Sequence, residues 1–186
     1  MLTINKSLKI LFILNSIFVF AGALFTPLYA LYVQRIDNRI IAVSITWGVQ
    51  IAASTFFAFF VGKYGDRIKE KEFILAAGYF LRFLAWTGLI FVNNLISLLL
   101  IQIVIGVGES MGGPAWNAIF AKHLDGHKEV KDYSDWAMLS NLIIALGTIL
   151  GGVVVTFFGF NYIFAFMGLL AFVSFVGVVI TPRRTL

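Results

Sequence analysis

Cysteine is absent from the 186 residues, which excludes a disulfide scaffold, a thiolate zinc site and a cysteine nucleophile together. Charge is also scarce: Asp, Glu, Lys and Arg make up 12% of the chain against 60% apolar residues, and mean hydropathy is +0.95. A soluble globular domain carries about 25% charged residues, so that class is excluded as well. Proline occurs three times, and no phosphate-cradling loop, low-complexity tract, solenoid repeat or lipidation motif is found. The two histidines, His123 and His127, flank Asp125 at a spacing that suits a metal only in a helix. Gly126 opposes that, so a solvated connector is expected and neither metal nor cofactor is implied. The net charge of +5 reports topology and anionic lipid in a chain this apolar, not nucleic acid.

What the chain does contain is six apolar runs, at about 8–33, 40–61, 73–92, 95–121, 136–158 and 160–180. Each approaches or exceeds the ~20 residues that a bilayer-spanning helix needs. The first is too long for the core of a cleavable signal peptide and reads as a retained span. The fold expected is an all-α membrane protein, residues 1–186 forming one six-helix transmembrane domain. Short separators join the runs, including Asn93-Asn94, a turn around Gly159 and a solvated connector over 122–135.

Basic residues fix the orientation. Eleven lie on the side that holds both ends and the second and fourth connections, only Arg35 and Arg39 lie opposite, and Arg82 falls within a span. Both termini are therefore expected in the cytoplasm, with the protein integral to a bacterial or archaeal cytoplasmic membrane. Lipid supplies no hydrophobic drive for helix association, so close packing relies on small residues. Gly108-x-x-x-Gly112 and Gly147-x-x-x-Gly151-Gly152 offer such grooves on the fourth and fifth helices. Pro27 and Pro114 should kink the first and fourth.

The connection from Gly62 to Lys71 resembles the loop signature G-x-x-x-D-R-x-G-R-R of the major facilitator superfamily. Gly62, Asp66, Arg67 and Lys71 match it, while Lys69 and Glu70 depart from it. Gln102-x-x-x-Gly106-x-Gly108 is similar to the family's R-x-x-x-G-x-G, with glutamine in place of the arginine linked to proton coupling. Gly147-Thr148-Ile149-Leu150-Gly151-Gly152 resembles the antiporter motif G-P-x-x-G-G, with threonine in place of proline, which argues against a drug–proton antiporter. The resemblance spans nearly the whole chain but only the amino-terminal six-helix half of a twelve-helix transporter. It implies a cavity at the midplane, with a partner half supplying the opposite wall, and it implies a gating role for Gly62, Asp66, Arg67 and Lys71.

Arg82 and Glu109 are the ionisable side chains deep within spans, where a charge costs about 2.5–3.5 kcal/mol even on the mildest insertion scale. Counted from the cytoplasmic ends they lie about 15 and 18 Å deep at 1.5 Å per residue, close enough in depth to meet. Glu109 is read either as a proton-coupling or cation-binding carboxylate or as half of a structural ion pair. Polar residues on cavity-facing helices are Asn15, Ser16, Thr26, Gln50, Ser54, Gln102, Asn117, Ser140 and Asn141. The resemblance singles out Asn15, Gln102 and Asn117 as substrate contacts, whereas ordinary interhelical hydrogen bonding accounts for many of the rest. Tyr29, Tyr32, Trp47, Trp86 and Trp116 serve as organic-substrate contacts or as interfacial anchors. Gly108-Glu109-Ser110-Met111-Gly112 matches the nucleophile-elbow pattern, but that pattern needs a strand–turn–helix and a nearby base, so no enzyme is expected.

The expected function is alternating-access transport of a small solute, with protons as a candidate co-substrate, by a half-sized protein. Arg183-Arg184 after Pro182 reads as a basic stop, and six spans let two copies pair in parallel, so a homodimer is expected over a heterodimer or a fragment of a longer transporter. The competing class is a non-transporting assembly or lipid-handling membrane protein on the same fold.

Overall fold

A computed structural model describes residues 6–122 and 129–181. Seven α-helices are present among them: α1 (Lys6–Ala23), α2 (Tyr29–Ile36), α3 (Ile40–Gly65), α4 (Lys71–Gly88), α5 (Leu95–Ala121), α6 (Glu129–Phe158) and α7 (Phe160–Ile180). With α1 and α2 taken as one broken span, these give six stretches long and apolar enough to cross a membrane.

The break in the first span has a chemical cause. Pro27 has no N–H to offer the carbonyl one turn back, and the chain tightens into a 3-10 turn over Thr26–Leu28. The Thr26 hydroxyl donates to the Gly22 carbonyl at 2.9 Å, which also accepts from the Phe25 N–H at 3.2 Å, so side chain and backbone together hold the turn onto the end of α1. At Pro114 the chain does not break: α5 runs as one helix from Leu95 to Ala121.

Other boundaries differ from the sequence reading. Helix α6 begins at Glu129, not near residue 136, so part of the expected connector is helical. Glu129 and Asp132 stand in its first turn, where acidic side chains complement the helix dipole. Helix α3 continues to Gly65, past the apolar run. At the α5 start, Asn94 accepts from the Ser97 N–H at 2.8 Å in a capping box, and Gly159 turns α6 into α7 at φ 87°. His123, His127, Arg183 and Arg184 lie outside the described residues.

By closest backbone packing the spans follow one another in a row, α3, α5, α4, α7, α1 and α6, and aromatic side chains of α6 reach back to α5 at one end. Beyond its break, α2 crosses back onto α3. Glycines set the closest approaches. A Cβ on Gly78 would lie 2.7 Å from the Gly112 nitrogen and 2.8 Å from the Gly108 carbonyl oxygen, so α4 and α5 meet backbone to backbone. Gly147 sits equally tightly on α1, and a Cβ at Gly151 would overlap the Leu24 carbonyl, whereas Gly152 faces open space. Two apolar clusters result, one around Phe25, Tyr32, Trp86 and Phe164 and the other around Leu11, Leu75, Tyr79 and Trp116, with Phe18 packed on both.

Candidate functional site

Between the two clusters lies a polar layer near the middle of the spans. Arg82 on α4 donates through Nη2 to Glu109 Oε2 on α5 at 3.1 Å. The expected meeting of the two charges is therefore present. Gln50 on α3 donates to the same oxygen at 3.1 Å, so three helices converge on one carboxylate. The Arg82 side chain is 17% exposed and that of Glu109 44%, so the carboxylate faces outward from the bundle while the guanidinium lies within it. The Arg82 Nε is buried and has no hydrogen-bond partner among the described residues. The guanidinium carbon lies 5.5 Å from the centre of the Trp86 ring and 6.0 Å from that of Phe18.

A second chain of hydrogen bonds runs alongside. Gln102 Nε2 donates to the Tyr29 hydroxyl, which donates to Thr46 Oγ1 at 2.6 Å, and Thr46 donates to the Ala42 carbonyl at 2.7 Å. The direction is forced from the far end: a backbone carbonyl only accepts, so each hydroxyl must give its one proton toward Ala42. Tyr29 must then accept from Gln102, which turns the amide oxygen, Oε1, away. That oxygen is buried and has no partner among the described residues.

Two adjoining cavities open on this layer. A small one of about 70 Å³ is lined by Tyr29, Gln50, Arg82 and Gln102, with Trp47 above. A larger one of about 410 Å³ lies between α1, α4 and α6, walled by Phe18, Val19, Trp86 and Ile144. Gly22, Thr26, Arg82 and Trp86 belong to both, so the break in the first span borders each chamber.

The remaining sequence-selected residues fall elsewhere. Asn15 is buried and accepts from the Tyr79 hydroxyl at 2.6 Å, tying α1 to α4 outside both cavities. Asn117 is exposed on α5, about two turns from Glu109, and lines neither cavity. Ser110 donates to the Val107 carbonyl at 2.7 Å within α5, so the G-x-S-x-G pattern here is plain helix. Trp116 packs against Phe12 and Trp136, with ring centres 5.2 and 5.1 Å away, joining α1, α5 and α6 near the start of α1 and α6 and the end of α5. Thr46 escaped the sequence reading, although it lies one helical turn from Gln50. Gly78 was missed because it has no small partner at i+4.

At the α3 end, the Lys71 ammonium donates to the Gly65 carbonyl at 2.8 Å and sits 3.2 Å from Asp66. A cation here complements the negative end of the α3 dipole. The Asp66 side chain is 95% exposed, and the Arg67 guanidinium lies 5.5 Å from the Tyr64 ring centre. Gly62 meets no neighbour. On the other face, Arg39 holds the Asp37 carboxyl down to about 2 through side-chain and backbone hydrogen bonds.

A search of curated proteins finds no matching relative. The family model described as Major Facilitator Superfamily matches residues 11–185, a stretch that takes in every span, both cavities and the loop at the α3 end. With six membrane-crossing helices around a polar midplane layer, the chain is an integral membrane protein with the transporter-type function of its family, and it belongs to the major facilitator superfamily.

Proposed function

We propose that this chain is one half of an alternating-access solute transporter and that a second copy, parallel to the first about an axis along the membrane normal, supplies the other half. The observation that carries this reading is the distribution of burial among the spans. The most apolar windows of α3 and α6 are 17% and 11% buried, against 39–44% for the other four. These two helices are the ends of the row, and they flank the polar layer. A second six-helix half seated on them would cover both and turn a one-sided cavity into an enclosed midplane site. Basic residues assign the termini of each copy to the cytoplasm, so two copies pair without inversion. Glu109 supports proton coupling: its carboxylate is accessible from the open face, and protonation would release Arg82 from the pair.

A two-fold axis through the open face sets α3 of each copy against α6 of the other. Phe56 lies nine residues from the Gly65 end of α3 and Met138 nine from the Glu129 start of α6, and the two are 61% and 70% exposed. The chain has no cysteine of its own, so introduced thiols report without background. Phe56→Cys combined with Met138→Cys should give a covalent dimer on oxidation in membranes, while either single variant stays monomeric on denaturing gels. No cross-link, together with single copies in bilayers, overturns the homodimer. Proteoliposome uptake across a panel of sugars, amino acids and organic ions tests transport itself, and absence of flux under any gradient overturns it. Glu109→Gln should abolish gradient-driven uptake and spare exchange if the carboxylate carries the proton.

A further inference from the structure

We propose that the midplane site takes a small organic carboxylate that carries a hydroxyl or N–H donor beside the carboxylate and an apolar body of about ring size. The proposal rests on reading the two cavities as the transport site, and it names the substrate class.

Two residues that line the small chamber each carry a buried polar atom without a partner among the described residues, and the two atoms are of opposite sense. Arg82 Nε is a donor on a cation, and Gln102 Oε1 is an acceptor on a neutral amide. Buried polar groups in folded proteins are nearly always satisfied, by protein, water or ligand, so a complementary pair of orphans on residues lining one chamber is a place where a bound molecule can supply both partners. The assignment of Gln102 Oε1 as the acceptor does not rest on the amide being placed one way round. It follows from the proton direction that the Ala42 carbonyl imposes through Thr46 and Tyr29. A ligand that meets both needs an acceptor for Arg82 and a donor for Gln102, close together.

Charge narrows the acceptor. One guanidinium faces the chamber, and Glu109 already lies 3.1 Å from its Nη2. A dianionic phosphate would add two negative charges beside a cation that Glu109 already neutralises, whereas a monoanionic carboxylate adds one, which the guanidinium can meet once Glu109 is protonated and releases it. Size separates head from body. The chamber of about 70 Å³ holds a carboxylate and its neighbouring donor and little more. The adjoining cavity of about 410 Å³ has walls of Phe18, Val19, Trp86 and Ile144, which suit an apolar body. A dry apolar cavity of about 150 Å³ already accepts a benzene ring. Arg82 and Trp86 line both chambers, so a molecule anchored at the guanidinium extends directly into the larger space.

Four probes with one body isolate these features: 3-phenyllactate, phenylalanine, 3-phenylpropionate and 2-phenylethanol. Binding is measured by calorimetry on the full chain in lipid nanodiscs. Phenyllactate, phenylalanine or both should bind about tenfold or more tightly than phenylpropionate, which lacks the donor, and 2-phenylethanol, which lacks the carboxylate, should show no saturable binding. The first two probes tell a hydroxyl donor from an ammonium. Arg82→Lys keeps the charge but loses the fork, and should weaken each acid about tenfold. Gln102→Met should erase the preference for phenyllactate or phenylalanine over phenylpropionate. The wild-type ranking tests the proposal even where a variant does not fold. Equal binding of 2-phenylethanol and the acids, or no binding of phenyllactate and phenylalanine to folded protein, overturns it. Acids that bind without any flux in proteoliposomes overturn the transport reading and leave this site standing. Flux of other solutes with no acid bound overturns this site and leaves transport standing.

Discussion

Arg82 reaches Glu109 because two glycines let their helices touch. Gly78 stands one turn before Arg82 on α4, and Gly108 precedes Glu109 on α5. A Cβ on Gly108 would lie 3.3 Å from Arg82 Cγ, so the missing side chain is also the channel through which the arginine passes. Glu109→Gln leaves a guanidinium in the bundle with no counter-ion, while Arg82→Gln with Glu109→Gln leaves two neutral amides. Losing one partner of a fully buried pair costs about 3–5 kcal/mol, and the exposure of Glu109 lowers that to roughly 1–3 kcal/mol here. Thermal unfolding in mild detergent should place the Glu109→Gln midpoint below that of the double variant. Strictly additive losses would mean the pair contributes no coupling.

The charge pair was legible in the sequence because ionisable residues are rare in apolar runs and depth follows from counting residues. The six spans were legible for the same reason, since hydropathy reports immersion in lipid directly. Hydropathy does not report helicity outside lipid, which is why the charged first turn of α6, with Glu129 and Asp132, read as connector. The site beyond the pair was harder to read. Gln50 and Tyr29 stood among many polar and aromatic candidates, and only the fold shows that Tyr29, carried past the Pro27 break, lands on Thr46 and Gln102. Asn15 and Asn117 carry the same chemistry on the same two spans, yet face Tyr79 and the open surface instead. Side-chain direction around a helix interrupted by a 3-10 turn cannot be extrapolated from periodicity.

Asp37 should confer an acid-dependent contribution to stability. Its carboxyl is held at about 2, below its ordinary value of 3.8, first by the side-chain hydrogen bond from Arg39 and then by the Arg39 backbone N–H. A carboxyl depressed in the folded state stabilises above its unfolded value and loses that contribution as pH falls through the folded one. The affected window is therefore about pH 4 to 2. Melting midpoints of Asp37→Asn and the parent should run parallel above pH 5 and converge toward pH 2. Parallel curves through the acid range would mean that the pairing persists in the unfolded chain.

In the parallel dimer proposed above Asp66 would act in the gate, where its exposed carboxylate has a helix start to meet. That start is Glu129, earlier than the sequence implied. A carboxylate at a helix N-terminus gains about 0.3–1 kcal/mol, and the two symmetric contacts of a dimer double this. Losing both would shift the outward/inward equilibrium about three- to thirty-fold. Glu129 and Asp132 in the same first turn repel Asp66, and Lys71 already sits 3.2 Å from it, so the lower end is expected. Spin labels near the Gly65 end of α3 and the Glu129 end of α6 should report longer inter-protomer distances in Asp66→Asn. Unchanged distances would confine Asp66 to its contact with Lys71.

Neighbouring glycines on α6 should respond in opposite directions to the same substitution. A Cβ added at Gly151 overlaps the Leu24 carbonyl, a backbone group that cannot rotate aside, while one added at Gly152 meets nothing within 4 Å. Leu24 lies just before the Thr26–Leu28 turn, so displacing it moves the broken segment that borders both cavities. Overpacking of this kind typically costs 1–3 kcal/mol, and a backbone clash places Gly151→Ala at about 3 kcal/mol. Gly152→Ala removes the conformational cost of a mid-helix glycine and should stabilise by about 0.5–1 kcal/mol. Unfolding midpoints of the two variants, measured in the same detergent, should therefore fall on either side of the parent. Gly151→Ala should also weaken solute binding, because Gly22, Thr26 and Tyr29 move with the turn. A Gly151→Ala protein as stable as the parent would mean that α1 and α6 sit farther apart than their backbones do here, and a destabilised Gly152→Ala would assign that face to the dimer contact.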